Sequence, residues 1–221
     1  MNFSRLIQTT ELSQLGFHPQ VRENVYTGNV NDPKFIDKVF FEKARFDPVT
    51  ASAFLDPRAN LTDLIHTSGM GFTMKFLMSA KLRSIFEKYR NGGVEFFRSP
   101  VIYRDKIHDN YWVMSVFKTD EDFLDFSRCN VLLRSRKEEG GTEFSQVDIR
   151  DYDDFKEKKK IFALERGFLF VDNPVFVESS MNDIYILRIV SGGIGYFISE
   201  KFKNTLLAYG VDGVDFQEIE V

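Results

Sequence analysis

The segment that begins at Ser79 recurs later in the chain, where Ser199 takes the corresponding place after a shift of 120 residues. Aligned without gaps, residues 79–96 and 199–216 share six identities in eighteen positions, where unrelated segments would share about one. The identical pairs are Ser79/Ser199, Lys81/Lys201, Tyr89/Tyr209, Gly93/Gly213, Val94/Val214 and Phe96/Phe216. We therefore expect two similar strand-helix-strand elements, at residues 75–103 and 195–221. The alternative is that two unrelated segments share a common order of local signals.

The first of these segments has clear local signals. Apolar residues recur at Leu82, Ile85, Phe86 and Tyr89, the spacing of one helical face. Ser79 is placed to cap this helix, and residues 92–93 supply a glycine stop. A strand is predicted for residues 94–103.

Signals further along the chain favour an α+β fold with a mixed or antiparallel sheet. Residues 129–136 and 144–149 have strand patterns, and the Glu-Glu-Gly-Gly sequence at 138–141 predicts a hairpin turn between them. Asp151 can cap a helix that runs from Tyr152 to about Glu165.

The first seventy residues contain several breakers between apolar clusters, which predicts an irregular or helical N-terminal part. The best local signal there is a helix with Pro33 in its first turn. We expect residues 1–70 to precede an α+β domain at residues 71–221, with one single compact unit as the alternative.

Composition excludes several classes of protein. The chain has 29 basic and 33 acidic side chains, for a net charge of −4, which disfavours general nucleic-acid binding. The basic run at residues 156–160 has acidic neighbours and is typical of a solvated helix face. A lone cysteine, Cys129, argues against a secreted disulfide scaffold, and no apolar run is long enough to span a membrane. We expect a cytoplasmic protein.

No convincing enzyme site is present in the sequence. The histidines, His18, His66 and His108, stand more than 40 residues apart, unlike the clustered ligands of common metal motifs. Cys129 with a remote histidine base stays open, because triads assemble in space. The glycine-rich residues 191–195 lack a complete phosphate-loop motif, and the acidic residues at 148–154 lack the calcium-loop pattern. We expect no catalytic residue, metal or cofactor.

Residues 196–202 (YFISEKF), 210–216 (GVDGVDF) and 183–188 (DIYILR) resemble the bacterial immunity proteins of polymorphic toxin systems, a family long catalogued as a domain of unknown function. Residues 82–100 and 122–127 are similar to the central part of that family. The resemblance covers about residues 70–221. It implies a cytoplasmic, non-enzymatic protein that binds and neutralises a cognate toxin, with no catalytic residues to carry over.

The best sequence candidates for a partner surface are one aromatic and four acidic residues: Trp112, Asp120, Glu121, Asp122 and Asp125. Aromatic side chains are enriched in interface cores, and carboxylates would steer a basic partner. The alternative is that the aromatic residues of the segment lie in the core and the carboxylates simply face water. Two other functions stay open, namely an enzyme with an unrecognised site for a small molecule, and a scaffold or regulatory binding protein.

Overall fold

The computed structural model describes residues 3–26, 28–137, 139–177 and 182–219. In these ranges the α-helices are α1 (Leu12–Leu15), α2 (Ala80–Tyr89), α3 (Tyr152–Leu164) and α4 (Glu200–Ala208). The strands are β1 (Phe3–Gln8), β2 (Val21–Tyr26), β3 (Ala51–Leu55), β4 (Leu64–Ile65), β5 (Phe76–Ser79), β6 (Val94–Arg98), β7 (Val101–Tyr103), β8 (Lys106–His108), β9 (Tyr111–Val116), β10 (Asn130–Arg136), β11 (Thr142–Gln146), β12 (Phe168–Asn173), β13 (Ile184–Leu187), β14 (Gly195–Ser199) and β15 (Val214–Glu218). None of the helices in these ranges has the length and apolar character that crossing a bilayer requires.

The described strands form four sheets, which confirms the expected α+β class. Their strand orders are β13-β14-β1-β15, β11-β10-β12, β2-β3-β7-β8 and β4-β5-β9-β6. Pairing is antiparallel in the two hairpins β10-β11 and β13-β14, for example, whereas β3 and β7 run parallel. The sheets are therefore mixed or antiparallel, as the sequence predicts.

Ser79 ends β5 and caps α2, as expected. Its hydroxyl accepts a hydrogen bond from the Leu82 N–H at 3.2 Å, which satisfies one of the free amides of the first helical turn. The apolar face of α2 is buried, with Phe86 fully enclosed. Gly92 and Gly93 follow the helix with φ angles of 86° and 79°, a backbone region that favours glycine, and the chain then enters β6.

The second segment contains strand β14, helix α4 and strand β15 in the same order. Ser199 ends β14, and α4 begins at the next residue. Phe202 and Leu206 are the buried residues of α4. Gly213 has a φ of 77°, and a Cβ at this position would collide with the carbonyl oxygen of Leu64. Only glycine fits this turn.

The expectation of short helices and loops in the N-terminal part is wrong for much of it, because β1 to β4 lie there. The helix predicted after Pro33 is wrong too, since only a 3₁₀ turn forms at Ile36–Lys38. The backbone of residues 34–36 instead forms hydrogen bonds with a distant segment of the chain. The Ile36 N–H donates to the Val49 carbonyl, and the Val49 N–H donates to the Lys34 carbonyl, both at 2.9 Å. These pairings replace the local bonds that a helix needs.

The predicted strand at residues 94–103 is two strands in different sheets. β6 pairs with β9, whereas β7 pairs with β3 and β8. Ser99 and Pro100 separate them, and proline has no N–H for a sheet ladder. The Ser99 hydroxyl donates to the Ala51 carbonyl at 2.6 Å, which fixes the place where the chain passes from one sheet to the other.

The predicted hairpin and the predicted α3 are both present. β10 and β11 pair antiparallel, and Gly140 and Gly141 turn with φ angles of 91° and 92°. Glu138, part of the predicted turn, lies outside the described residues. Asp151 caps α3 by accepting from the Asp154 N–H at 2.8 Å.

The chain divides into two compact units. The first unit contains the described residues of Met1–Arg5, Thr119–Ser199 and Glu218–Val221. Its core includes Phe155 and Tyr185. The second unit contains those of Leu6–Lys118 and Glu200–Gln217, and its core packs Ile36 and Leu77 against neighbouring strands. The expected boundary near residue 70 stays a prediction.

Candidate functional site

Asp120 and Glu121, two of the predicted partner residues, are buried in the first unit. The Asp120 carboxylate accepts from the Ile186 N–H at 2.7 Å, and the Glu121 carboxylate accepts from the Arg188 N–H at 2.8 Å. The Asp120 N–H in turn donates to the Ile186 carbonyl at 2.8 Å. The two carboxylates thus bond to the backbone at β13 and just beyond it.

The other acidic residues of this segment are more accessible. Asp122 is exposed, and Asp125 is half-buried. The Ser127 hydroxyl donates to the Asp125 carboxylate at 2.6 Å. In the same segment, Leu124 and Phe126 are buried in the first core. Asp122 is therefore the residue of this segment best placed to attract a charged partner, and its role in binding stays a prediction.

Trp112 lies on β9 in the second unit and is half-buried. The guanidinium carbon of Arg83 lies 3.9 Å from the centre of the indole ring, and that of Arg98 lies 5.8 Å from it. Arg83 extends from α2 and also pairs with Glu87 at 2.9 Å. A cation placed over an indole face is attracted by the ring's electron density, so both arginines add positive charge to a partly accessible aromatic surface.

The structure brings together a polar cluster in the second unit that sequence reasoning missed. The Asp63 carboxylate accepts a hydrogen bond from the Ser79 hydroxyl at 2.6 Å and pairs with the Lys81 ammonium at 2.5 Å. The Asp63 N–H donates to the Asp212 carboxylate at 2.6 Å, and the Asp212 N–H donates back at 3.3 Å. Burial, and then the charge of Asp63, raise the pKa of Asp212.

Tyr111 lies near this polar cluster, and its hydroxyl donates to the Thr62 carbonyl at 2.7 Å. Burial, followed by the charges of Asp63 and Asp212, raises the pKa of Tyr111. Its phenol therefore stays protonated at neutral pH and serves as a hydrogen-bond donor.

The polar cluster contains the residue types of a catalytic site with a serine nucleophile, but its hydrogen bonds differ from those of an activated serine. The Ser79 hydroxyl donates its only proton to Asp63 and accepts from the first turn of α2. The carboxylate that accepts this proton is itself held in an ion pair with Lys81, unlike the free base beside an activated serine. The ammonium of Lys81 is already paired with Asp63 and also donates to the Gly210 carbonyl at 2.9 Å. The contacts therefore support a structural role for the cluster.

Cys129, the open nucleophile candidate, is held as a thiol. Its sulfur accepts from the Val175 N–H at 3.2 Å and lies 3.7 Å from the Val175 carbonyl, to which it donates. Burial raises the pKa of Cys129 to about 11. Because the thiolate is the reactive form, this environment makes Cys129 a weak nucleophile.

Two of the three histidines meet in the second unit. The rings of His18 and His66 pack edge to face with centroids 4.8 Å apart. Burial, and then the charge of His18, lower the pKa of His66. No group of three or more potential metal-ligating side chains occurs among the residues that the structure describes. The pair therefore lacks the ligand set that a typical zinc site requires.

The other two sequence candidates also have local structural roles. Gly192 and Gly193 form a turn with positive φ angles, and the Arg5 guanidinium donates to the carbonyls of Ser191 and Ile194 at 2.9 and 3.3 Å. In the acidic segment, Asp154 accepts from the backbone N–H of Arg150 at 2.9 Å. Such bonds lower the pKa of Asp154 to about 2.

Lys75 is a further buried charge that the sequence did not reveal. Its ammonium lies 3.6 Å from the Asp37 carboxylate and 4.7 Å from the centre of the Phe40 ring. Burial lowers the pKa of Lys75, although Asp37 opposes the shift. The Asp37 carboxylate also accepts from the Gly71 N–H at 2.7 Å, so the pair ties the chain before β5 to the 3₁₀ turn.

No family model matches the chain, and no curated protein matches it.

Proposed function

We propose that this protein is a non-enzymatic, cytoplasmic binding protein that neutralises a cognate bacterial toxin domain, as the resemblance to immunity proteins implies. The observation that carries this proposal is the half-buried Trp112 with the guanidinium groups of Arg83 and Arg98 close to its indole ring. Tryptophan and arginine are enriched among residues that dominate protein–protein binding energy. A partly exposed indole with two arginines beside it has the composition of such an interface centre.

The internal bonding of the other candidates supports binding over catalysis. Ser79 caps a helix and donates to Asp63, and the raised pKa of Cys129 keeps its thiol protonated. The contacts of these two candidate nucleophiles thus have a structural explanation. The protein partner and the absence of nucleic-acid binding remain parts of the proposal.

We also propose that β5-α2-β6 and β14-α4-β15 are two copies of one element. The shift of 120 residues extends upstream to Asp63 and Asp183, each of which accepts from the hydroxyl of its serine at 2.6 Å. The strand registers follow the same shift, because Leu64 pairs with Met78 and Ile184 pairs with Ile198.

The sheet orders β4-β5-β9-β6 and β13-β14-β1-β15 support the same relation. In both orders the hairpin partner comes first and the strand that precedes the helix comes second. The strand after the helix comes fourth. The third strand comes from outside the element, from β9 in one sheet and β1 in the other.

The toxin proposal is tested by co-expression in a bacterial host. The C-terminal domain of the protein encoded beside this chain is expressed with and without it, and growth is measured. We expect the neighbour to kill and this chain to restore growth. A harmless neighbour, or one that kills equally in both cases, would contradict the proposal.

Variants then locate the surface. Trp112→Ala should weaken binding of the toxin domain about 30-fold, the loss typical of a dominant interface residue, in isothermal titration calorimetry. Leu164→Ala is the matched control, because Leu164 is 88% exposed on α3 and loses apolar surface elsewhere. Thermal melting of both variants separates a loss of folding from a loss of binding. Equal affinities for the two folded variants would exclude Trp112 from the interface.

A further inference from the structure

Strand β11 forms one edge of the sheet β11-β10-β12, and β10 is its only neighbouring strand among the described residues. All five of its residues are exposed. An edge strand offers a row of backbone groups to any further strand that approaches it. The strand contains neither lysine nor proline, two residues that commonly protect such edges.

The hydrogen bonds beside the strand show which of its backbone groups point outward. The Val147 N–H donates to the Val131 carbonyl, and the Lys137 N–H donates to the Gly141 carbonyl. Hydrogen-bonded pairs alternate along an antiparallel ladder, so within the register of β10 and β11 the bonded residues are Ser145 and Glu143. The N–H and C=O groups of Thr142, Phe144 and Gln146 therefore point away from β10.

The side chains of these three residues share one face of the sheet, because alternate residues of a strand point the same way. Phe144 is 59% exposed. It lies opposite Arg134 of β10, which in turn lies opposite Phe168 of β12. The Arg134 guanidinium lies 5.3 Å from the centre of the Phe168 ring. An aromatic and cationic row thus crosses the sheet and ends at its open edge.

We propose that β11 pairs antiparallel with β11 of a second copy of this chain, around a two-fold axis at Phe144. The outward groups of Phe144 then meet those of the same residue in the other copy, and those of Thr142 meet those of Gln146. Each outward donor and acceptor finds a partner. The two three-stranded sheets become one six-stranded sheet, and the two aromatic rows become continuous.

The charges select this register over its neighbour. In the proposed register Glu143 faces Ser145 of the other copy, and no like charges oppose each other. If the two-fold axis is moved by one residue to Glu143, outward N–H and C=O groups still meet, those of Thr142 with those of Phe144. This register, however, places the Glu143 carboxylates of the two copies directly opposite each other. Like charges in such cross-strand pairs are destabilising. A centre at Ser145 opposes no like charges, but it places Thr142 opposite Asp148, beyond the end of the strand. Only the centre at Phe144 pairs all three outward residues of β11 with one another, so it uses the full length of the strand.

Disulfide trapping tests the register. The Cα atoms of a bonded antiparallel pair lie about 5.5 Å apart, within the range that a disulfide spans. Phe144→Cys should therefore give a covalent dimer under mild oxidation. Thr142→Cys is the matched control, because the two introduced thiols would lie roughly 13 Å apart. Native Cys129 competes little, since burial raises its pKa to about 11.

Mass measurement tests the association itself. The wild-type mass should rise with concentration from 25.7 kDa towards twice that value in sedimentation equilibrium. Gln146→Pro should abolish the rise while β10 and β11 stay paired, because it removes an outward N–H. Circular dichroism checks its folding. A monomer at every concentration, or cross-linking of Thr142→Cys as fast as Phe144→Cys, would overturn the proposal. So would pairing of β11 only with a foreign strand.

Discussion

The backbone N–H groups of Asp63 and Asp212 each donate to the other residue's carboxylate, at 2.6 and 3.3 Å. The two residues are 149 positions apart in the chain. This reciprocal pair joins the start of β4 to the turn before β15 within the second unit. It places two carboxylates close together, and the ammonium of Lys81 lies beside Asp63.

Asp212→Asn should raise the free energy of unfolding by about 0.5 kcal/mol at pH 7, a modest value because Asp212 is exposed and solvent screens its charge. The folded protein raises the pKa of Asp212, so the charged form is less favourable in the folded state than in the unfolded one. The wild type therefore loses stability relative to the variant as the pH rises through the folded pKa.

Urea denaturation between pH 3 and pH 7 measures this difference. The advantage of Asp212→Asn should vanish at low pH, where wild-type Asp212 is protonated in both states. Asp215→Asn provides the control, because Asp215 is exposed on β15. An equal gain from both variants at pH 7 would assign the effect to net charge.

Ser79→Ala should lower the free energy of unfolding by about 2 kcal/mol, because it removes a helix cap and a hydrogen bond to a buried carboxylate. Ser199→Ala should cost about 1 kcal/mol or more through the lost bond to Asp183. Ser84→Ala, on the exposed face of α2, should change stability by less than about 0.5 kcal/mol. Chemical denaturation measures the free energy of unfolding of the three variants. If Ser199→Ala left it unchanged, the result would count against the proposal that β5-α2-β6 and β14-α4-β15 are copies of one element.

Asp120→Ala and Asp122→Ala make the same chemical change two positions apart, but only the first should lower the stability of the protein. Asp120→Ala should destabilise the protein by about 2 kcal/mol, since it leaves the buried Ile186 N–H without its carboxylate acceptor. Asp122→Ala should leave the melting temperature unchanged.

The same pair of variants also bears on partner binding. Asp122→Ala should slow association with a basic partner at low salt, and the difference should shrink as salt rises. Stopped-flow kinetics at two ionic strengths measure this. An association rate that is unaffected at low salt would remove Asp122 from the partner surface.

Cys129 should react about 100-fold more slowly with Ellman's reagent at pH 8 than an unperturbed thiol, because its pKa is about 11 against an ordinary value of 9.0 and each unit changes the thiolate fraction tenfold. Unfolding in urea should restore the ordinary rate. Fast reaction of the folded protein would restore the nucleophile hypothesis.

Local signals explain what the sequence predicted correctly. The Ser79 cap, the glycine stop after α2, the Asp151 cap and the β10-β11 hairpin each depend on residues close together in the chain. The helix predicted after Pro33 was wrong because Val49 pairs with that segment from outside the window that any periodicity covers. Pairing with a segment that is distant in the sequence cannot be predicted from the local spacing of apolar residues.

The candidate site was harder to predict for the same reason. Asp120 and Glu121 stand in an acidic run that is typical of a solvated surface, yet their amide partners lie 66 and 67 positions away. Asp63 and Asp212 carry no motif at all. Only the shift of 120 residues, extended upstream from Ser79 to Asp63 and from Ser199 to Asp183, offered a sequence signal for that cluster.

The passage of the chain from β6 to β7 links the dynamics of the two sheets in the second unit. Ser99 and Pro100 are the only residues between these strands, and the Ser99 hydroxyl holds the carbonyl of Ala51 in β3. Local unfolding of either sheet should therefore disturb the other. The amides of β9 and β3 should therefore exchange with deuterium at similar rates, as members of one cooperative foldon.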